Sequence, residues 1–144
     1  MVGIVVTGHG HFATGLGSSL KLITGLTENI ELVDFEADHT TEILADNLNK
    51  AFDNLKECDG VLVLSDLAGG SPFKTAVECK YARPDQAIEV IAGTNLPMLV
   101  EGGMMMEGFD SPLEMAEDLI PTGKDYIIRF ELETHEDDDC EEGI

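Results

Sequence analysis

Two histidines, His9 and His11, alternate with glycines in the stretch Thr7-Gly8-His9-Gly10-His11. Much later an aspartate opens the run Asp66-Leu67-Ala68-Gly69-Gly70-Ser71-Pro72-Phe73. An imidazole with an unperturbed pKa of about 6.5 is a competent nucleophile near neutral pH. A carboxylate bonded to one ring nitrogen fixes the tautomer and leaves the lone pair of the other nitrogen free to attack. It also stabilises the cationic ring that forms when a phosphoryl group is accepted. Phosphoryl transfer otherwise needs positioning and donors for the oxygens. Gly69-Gly70-Ser71, just before Pro72, can supply them. Glycines let backbone N–H groups come close, a helix start favours anions, and Ser71 adds a hydroxyl. His9 and Asp66 are therefore candidate catalytic residues, and Gly69, Gly70 and Ser71 a candidate phosphate cradle. Glycines on both sides of His9 leave room for a partner to approach. His11 reads as a surface residue rather than a second acid–base group. His39 and His135 read as solvated, and Met104-Met105-Met106 as core filling rather than a pliable docking surface.

These residues converge only if the elements bring them together. Four short apolar, β-branched runs stand out: Gly3–Thr7, Ile30–Phe35, Gly60–Ser65 and Ile88–Ala92. They start 27, 30 and 28 positions apart. The first and third are apolar almost without a break, as expected of central strands covered on both faces. Helical patterns fill the gaps. Thr41–Glu57 places Leu44, Leu48, Phe52 and Leu55 on one face. Ser71-Pro72 opens another helix, with Ser71 expected as N-cap, and Ser111-Pro112-Leu113-Glu114 resembles a capping box. Strand–helix alternation at this period predicts right-handed βαβ units and an α/β, doubly wound, mostly parallel sheet. In the flavodoxin-like order 2-1-3-4, ligands bind beyond the carboxyl ends of the strands where the order reverses. That point lies between the first and third strands, so His9 and Asp66 are expected side by side in one crevice. After a turn at Pro121–Gly123, Lys124–Leu132 reads as a fifth strand.

Composition narrows the classes. The chain has 144 residues, enough for one domain with its own core. Lys and Arg number 8 against 29 Asp and Glu, a net −21, which disfavours nucleic acid and anionic membranes as partners. Eight of the acids fall between Glu131 and Ile144, so the preceding residues carry 21 acids against 8 bases, or −13. Residues 1–133 are expected to form the domain and 134–144 an acidic mobile tail. Cys58, Cys79 and Cys140 are an odd, scattered set without a C-x-x-C pair, which argues against a disulfide framework or a thiolate zinc site. No basic leader and no membrane-length apolar run is seen, so a cytoplasmic protein is expected.

Three stretches together resemble a known family: VVTGHGHFATGL at 5–16, VLVLSDLAGGSPF at 61–73 and EVIAGTNLPMLVE at 89–101. They are similar to the mannose-class enzyme IIA component of the bacterial sugar phosphotransferase system, over roughly residues 2–130. The resemblance implies that His9 is the phosphorylated histidine, carrying the group on Nε2. It implies that Asp66 hydrogen-bonds the imidazole and that Ser71 helps hold the phosphoryl oxygens, with no metal or other cofactor. It further implies phosphate received from the phosphocarrier HPr and passed to a IIB component, with the membrane components IIC and IID downstream. Family members are homodimers that exchange the final strand as an antiparallel edge, a role that Lys124–Leu132 fits. The IIB component is expected on a separate chain. His11 stands where some members carry a bulky aromatic, which leaves a mixed phosphorylation site open, and the acidic tail is outside the family pattern.

Other readings compete. A response-regulator receiver domain needs acidic residues after the first strand, where Thr-Gly-His-Gly-His stands. A nucleotide or flavin binder would call for G-x-x-x-x-G-K-[ST] or G-x-G-x-x-G, neither of which occurs. A metal-dependent hydrolase would use His9, His11 and Asp66, with His39 as a further ligand. The IIA-like phosphocarrier that serves dihydroxyacetone kinase shares the fold, but Gly-Gly-Ser-Pro-Phe and Asn95-Leu96-Pro97-Met98-Leu99 favour the sugar-transport branch.

Overall fold

The computed structural model describes residues 1–132. Four strands, β1 (Val2–His9), β2 (Ile30–Phe35), β3 (Gly60–Ser65) and β4 (Ile88–Ile91), form one parallel sheet in the order β2-β1-β3-β4. The four apolar runs became these strands. β1 outlasts its expected end at Thr7 because His9 still pairs with Phe35 of β2.

Helices α1 (Phe12–Thr24), α2 (Thr41–Asn54), α3 (Ser71–Ala82), α4 (Leu96–Met105) and α5 (Pro112–Asp125) cover the two faces. The period-two alternation of the strands divides the core. Ile4, Val6, Leu62 and Leu64 pack with Leu20, Leu99, Met115 and Leu119 under α1, α4 and α5. Val5, Val61 and Val63 pack with Leu44, Leu48, Phe52 and Ala76 under α2 and α3. A leucine or phenylalanine taken fully out of water contributes about 1.5–3 kcal/mol, so each layer rests on several such residues. Because α1 and α3 pack on opposite faces of the sheet, their N-terminal ends flank the carboxyl ends of β1 and β3 from either side.

The C-terminal part departs from expectation. Pro121 lies inside α5 rather than in a turn. An interior proline costs a helix about 3 kcal/mol, but the buried row Met115, Leu119 and Gly123 continues past it. Asn95 Nδ2 also donates to the Gly123 carbonyl at 2.9 Å, so packing holds the last turn helical. Lys124 and Asp125 therefore close α5, and residues 126–132 form no strand with the other described residues. Ile127, Ile128, Phe130 and Leu132 stand exposed there. The expected tail, 134–144, with His135 and Cys140, lies outside the described residues. The three methionines split: Met106 is buried, Met105 packs against the core and Met104 is exposed. Among the described residues no helix is long and apolar enough to cross a membrane.

Candidate functional site

His9 is the last residue of β1, two positions beyond the final β1–β3 pair, Thr7 with Ser65. Asp66 is the first residue past β3. Adjacent parallel strands that end at nearly the same height place both at the carboxyl edge of the sheet, side by side. His9 Nδ1 lies 2.7 Å from Asp66 Oδ2, and the His9 N–H donates to the same oxygen at 2.8 Å. The other carboxylate oxygen accepts from the Leu67 N–H at 2.7 Å. Burial alone would push the Asp66 carboxyl up. The His9 amide, the His9 ring and the Leu67 amide outweigh it and hold the group below the usual carboxylate range. An ionised carboxylate only accepts, so Nδ1 must carry the hydrogen and Nε2 is left with its lone pair. The His9 side chain is 46% exposed whereas Asp66 is 13% exposed. The imidazole is thus open to a partner while the carboxylate bonded to it stays sheltered.

α3 begins beside this pair. Its N-cap is Gly70, in an extended conformation, and not Ser71 as the sequence suggested. Ser71 is instead the first helical residue, which releases its hydroxyl from capping. Gly69 turns the chain at φ +78°, a conformation that favours glycine. The Gly70 N–H is not a free donor, because it closes the turn onto the Leu67 carbonyl at 3.1 Å. What Gly70 contributes is its bare Cα: a Cβ there would come 2.8 Å from His9 Cε1 and 3.5 Å from Nε2. The imidazole therefore lies against the mouth of α3. Residues Ser71 and Phe73, in the first turn, have no helical acceptor for their N–H groups by helix geometry. These donors, the Ser71 hydroxyl and the helix dipole can together hold an anion at Nε2. On the other side, the edge of the His9 ring meets Phe35 at 6.0 Å between centroids and 68° between planes.

His11 belongs to a different group. Its Nδ1 lies 3.2 Å from Asp34 Oδ2 and its Nε2 3.4 Å from Glu36 Oε1. Asp34 also accepts from the Thr14 amide at 3.0 Å and the Thr14 hydroxyl at 2.7 Å, so it caps α1 from the end of β2. Burial raises the Asp34 carboxyl, but the Thr14 bonds and His11 outweigh it and hold the group low. His39 is half-buried rather than simply solvated, and its Nδ1 accepts from the Glu36 N–H at 3.1 Å. The three ligands of the hydrolase reading are thus divided, His9 with Asp66 and His11 with Asp34 and Glu36. Among the described residues no three His, Cys, Asp or Glu side chains gather in a way that could hold a metal ion. Cys79 is buried and Cys58 half-buried, and burial pushes both thiols up, away from the reactive thiolate. The Asp34 cap on α1 had no signal in the sequence beyond a polar residue at the end of an apolar run.

Comparison with known proteins shows the family. Residues 3–118 match the family EIIA-man, described as the PTS system fructose IIA component. Over 126 residues the chain is 34% identical to the mannose-specific EIIAB component of the phosphotransferase system in Escherichia coli strain K12, covering 88% of this chain and 38% of that one. The chain thus spans well under half the length of that relative. It is 32% identical over 101 residues to the fructose-specific EIIA component of Bacillus subtilis strain 168, covering 70% of this chain and 68% of that one. The crystal structure of phosphotransferase system component EIIA from Streptococcus agalactiae superposes with a TM-score of 0.82 at 29% identity, over 90% of this chain and 97% of that one.

Proposed function

The chain belongs to the EIIA-man family of phosphotransferase-system IIA components, and from that premise we propose that it carries a phosphoryl group on His9 between HPr and a IIB component in the cytoplasm. The observation that carries this reading is the 2.7 Å contact of His9 Nδ1 with Asp66 beside the first turn of α3. In the transfer, Nε2 attacks the phosphorus of the donor's phosphohistidine. The new N–P bond forms as the donor's N–P bond breaks, and the donor imidazole leaves with that electron pair. The His9 ring gains positive charge while Nδ1–H stays bonded to Asp66, whose carboxylate offsets that charge. Ser71 and the N–H groups of the first turn of α3 hold the phosphoryl oxygens, and Gly69 and Gly70 give the group room. The reverse geometry serves delivery to IIB, which phosphorylates sugar entering through IIC and IID.

Tyr126–Leu132 supports the dimer of this reading. Tyr126, Ile128, Phe130 and Leu132 recur at every second position and are all exposed, the pattern of a strand with one apolar face and no partner among the described residues. In the working protein it is the antiparallel edge strand exchanged with a second copy.

The direct test is incubation with phosphoenolpyruvate, enzyme I and HPr. One acid-labile, base-stable phosphate per chain is expected, and it should vanish in His9→Ala. An adduct that persists in His9→Ala refutes the assignment. Stoichiometric, tightly held zinc in purified protein would favour the hydrolase.

A further inference from the structure

The stretch Glu89–Glu101 carries part of the family resemblance, yet the proposed transfer gives none of its residues a task. Its geometry suggests one. Past the end of β4 the chain turns through Gly93, at φ +77°, and runs back over the end of β3. The Gly93 N–H donates to the Asp66 carbonyl at 2.9 Å, and the Thr94 N–H donates to the Ser65 carbonyl at 3.1 Å. Ser65 Oγ donates to the Ile91 carbonyl at 2.7 Å. Asp66 lies beyond the last residue of β3, so the Gly93 bond does for its backbone what the sheet no longer does. The turn is itself held by Asn95. Its Oδ1 accepts from the Met98 N–H at 3.3 Å and caps α4, while its Nδ2 donates to the Gly123 carbonyl in the last turn of α5 at 2.9 Å. Gly123 packs against the Met98 side chain, which would have to move to admit a Cβ there. One side chain thus ties the loop after β4 to two helices.

We infer that Asn95 is a positioning residue for the phosphoryl site: it clamps the Gly93–Thr94 turn to α5, and through that turn it sets where Asp66 presents its carboxylate to His9. The inference rests on the proposed role of His9 and Asp66. Bonds of 2.7 and 2.8 Å leave little slack at the carboxylate, and a displacement of about 1 Å in a reacting constellation can cost on the order of 100-fold in rate.

Asn95→Asp separates the two bonds. It keeps an acceptor for the Met98 amide but sets a carboxylate oxygen against the Gly123 carbonyl. Two quantities are read on the full chain: the rate of phosphorylation by HPr over a series of HPr concentrations, and the imidazole nitrogen and proton resonances of unphosphorylated His9 by NMR. Asn95→Asp is expected to lower the maximal rate about 10-fold with KM for HPr unchanged, and to shift the His9 Nδ1–H resonance that reports the Asp66 bond. Asn95→Ser, which can still cap α4 but is too short to reach Gly123, should do the same and serves if the aspartate variant does not fold. Folded variants with wild-type rate and wild-type His9 resonances overturn the inference, even if they melt earlier. Absence of phosphate on wild-type His9 would sink the parent reading, and the NMR comparison would still decide the role of Asn95.

Discussion

At His9 the division of labour between the two ring nitrogens follows from Asp66 being unable to donate. Replacing Asp66 with alanine should slow phosphorylation while leaving the fold intact, because the carboxylate orients the ring but supports no core packing; an unchanged rate would remove its orienting role. Gly70→Ala is a sharper probe. Its Cβ would meet His9 Cε1 at 2.8 Å, so the ring must move off the start of α3, and the rate of phosphorylation by HPr should fall by about 10-fold or more. Circular dichroism should remain native, since the glycine sits at the N-cap and not inside the helix. Ser71→Ala removes one donor, a loss that in oxyanion sites costs about 100-fold or more; rapid-quench phosphorylation measures it. The His9–Asp66 pair was legible in the sequence because period-two strands and the parallel order bring two strand ends together. The task of Gly70 was not, because close approach to an imidazole leaves no mark on residue type. Ser71 misread as the N-cap for a related reason: Gly70 can fill that position without a side chain.

Among the elements, α1 shows what the sequence hides. Its cap comes from Asp34, a residue of β2, and not from its own N-terminal segment, where His11 makes no capping bond. Asp34→Ala should therefore destabilise the protein by about 1–2 kcal/mol, read from a urea midpoint at pH 7. The pH dependence has a definite sign. The Asp34 and Asp66 carboxyls are both held below the usual carboxylate range in the folded chain, so their stabilisation is present above the unfolded value of about pH 4. It is lost as pH falls from there through the folded values. In Asp34→Asn the acid-induced drop should be shallower than in wild type, and an identical acid limb would refute the assignment. Strands and α2 were readable from apolar spacing. Pro121–Gly123 reads as a turn because a proline usually ends a helix, and only the bond from Asn95 to the Gly123 carbonyl and the burial of Leu119 and Gly123 carry α5 past it.

Over the whole molecule, charge and the exposed C-terminal segment carry the remaining predictions. A body charge of −13 before Glu131, from 21 acids against 8 bases, should speed encounter with HPr, which presents basic residues near its histidine. Raising salt from about 0.05 to 0.5 M shortens the screening length severalfold and should slow phosphorylation; an unchanged rate counts against steering. Ile128→Asp combined with Phe130→Asp places charges on the exposed apolar positions of this segment, and if it is the exchanged strand proposed above, sedimentation should report a single chain where the wild type gives a dimer. The alternation of that segment reads as a strand, yet among the described residues it pairs with no other strand, and the proposed exchange between copies would need a second chain to complete it. The openness of His9 has a consequence for how the cargo is kept. In the proposed role, a side chain with nearly half of its surface bare leaves the group it carries open to the surrounding liquid as well as to its next recipient. The proposed loaded form would then have a shelf life set by spontaneous hydrolysis, a slow leak of the carried group whenever onward transfer stops.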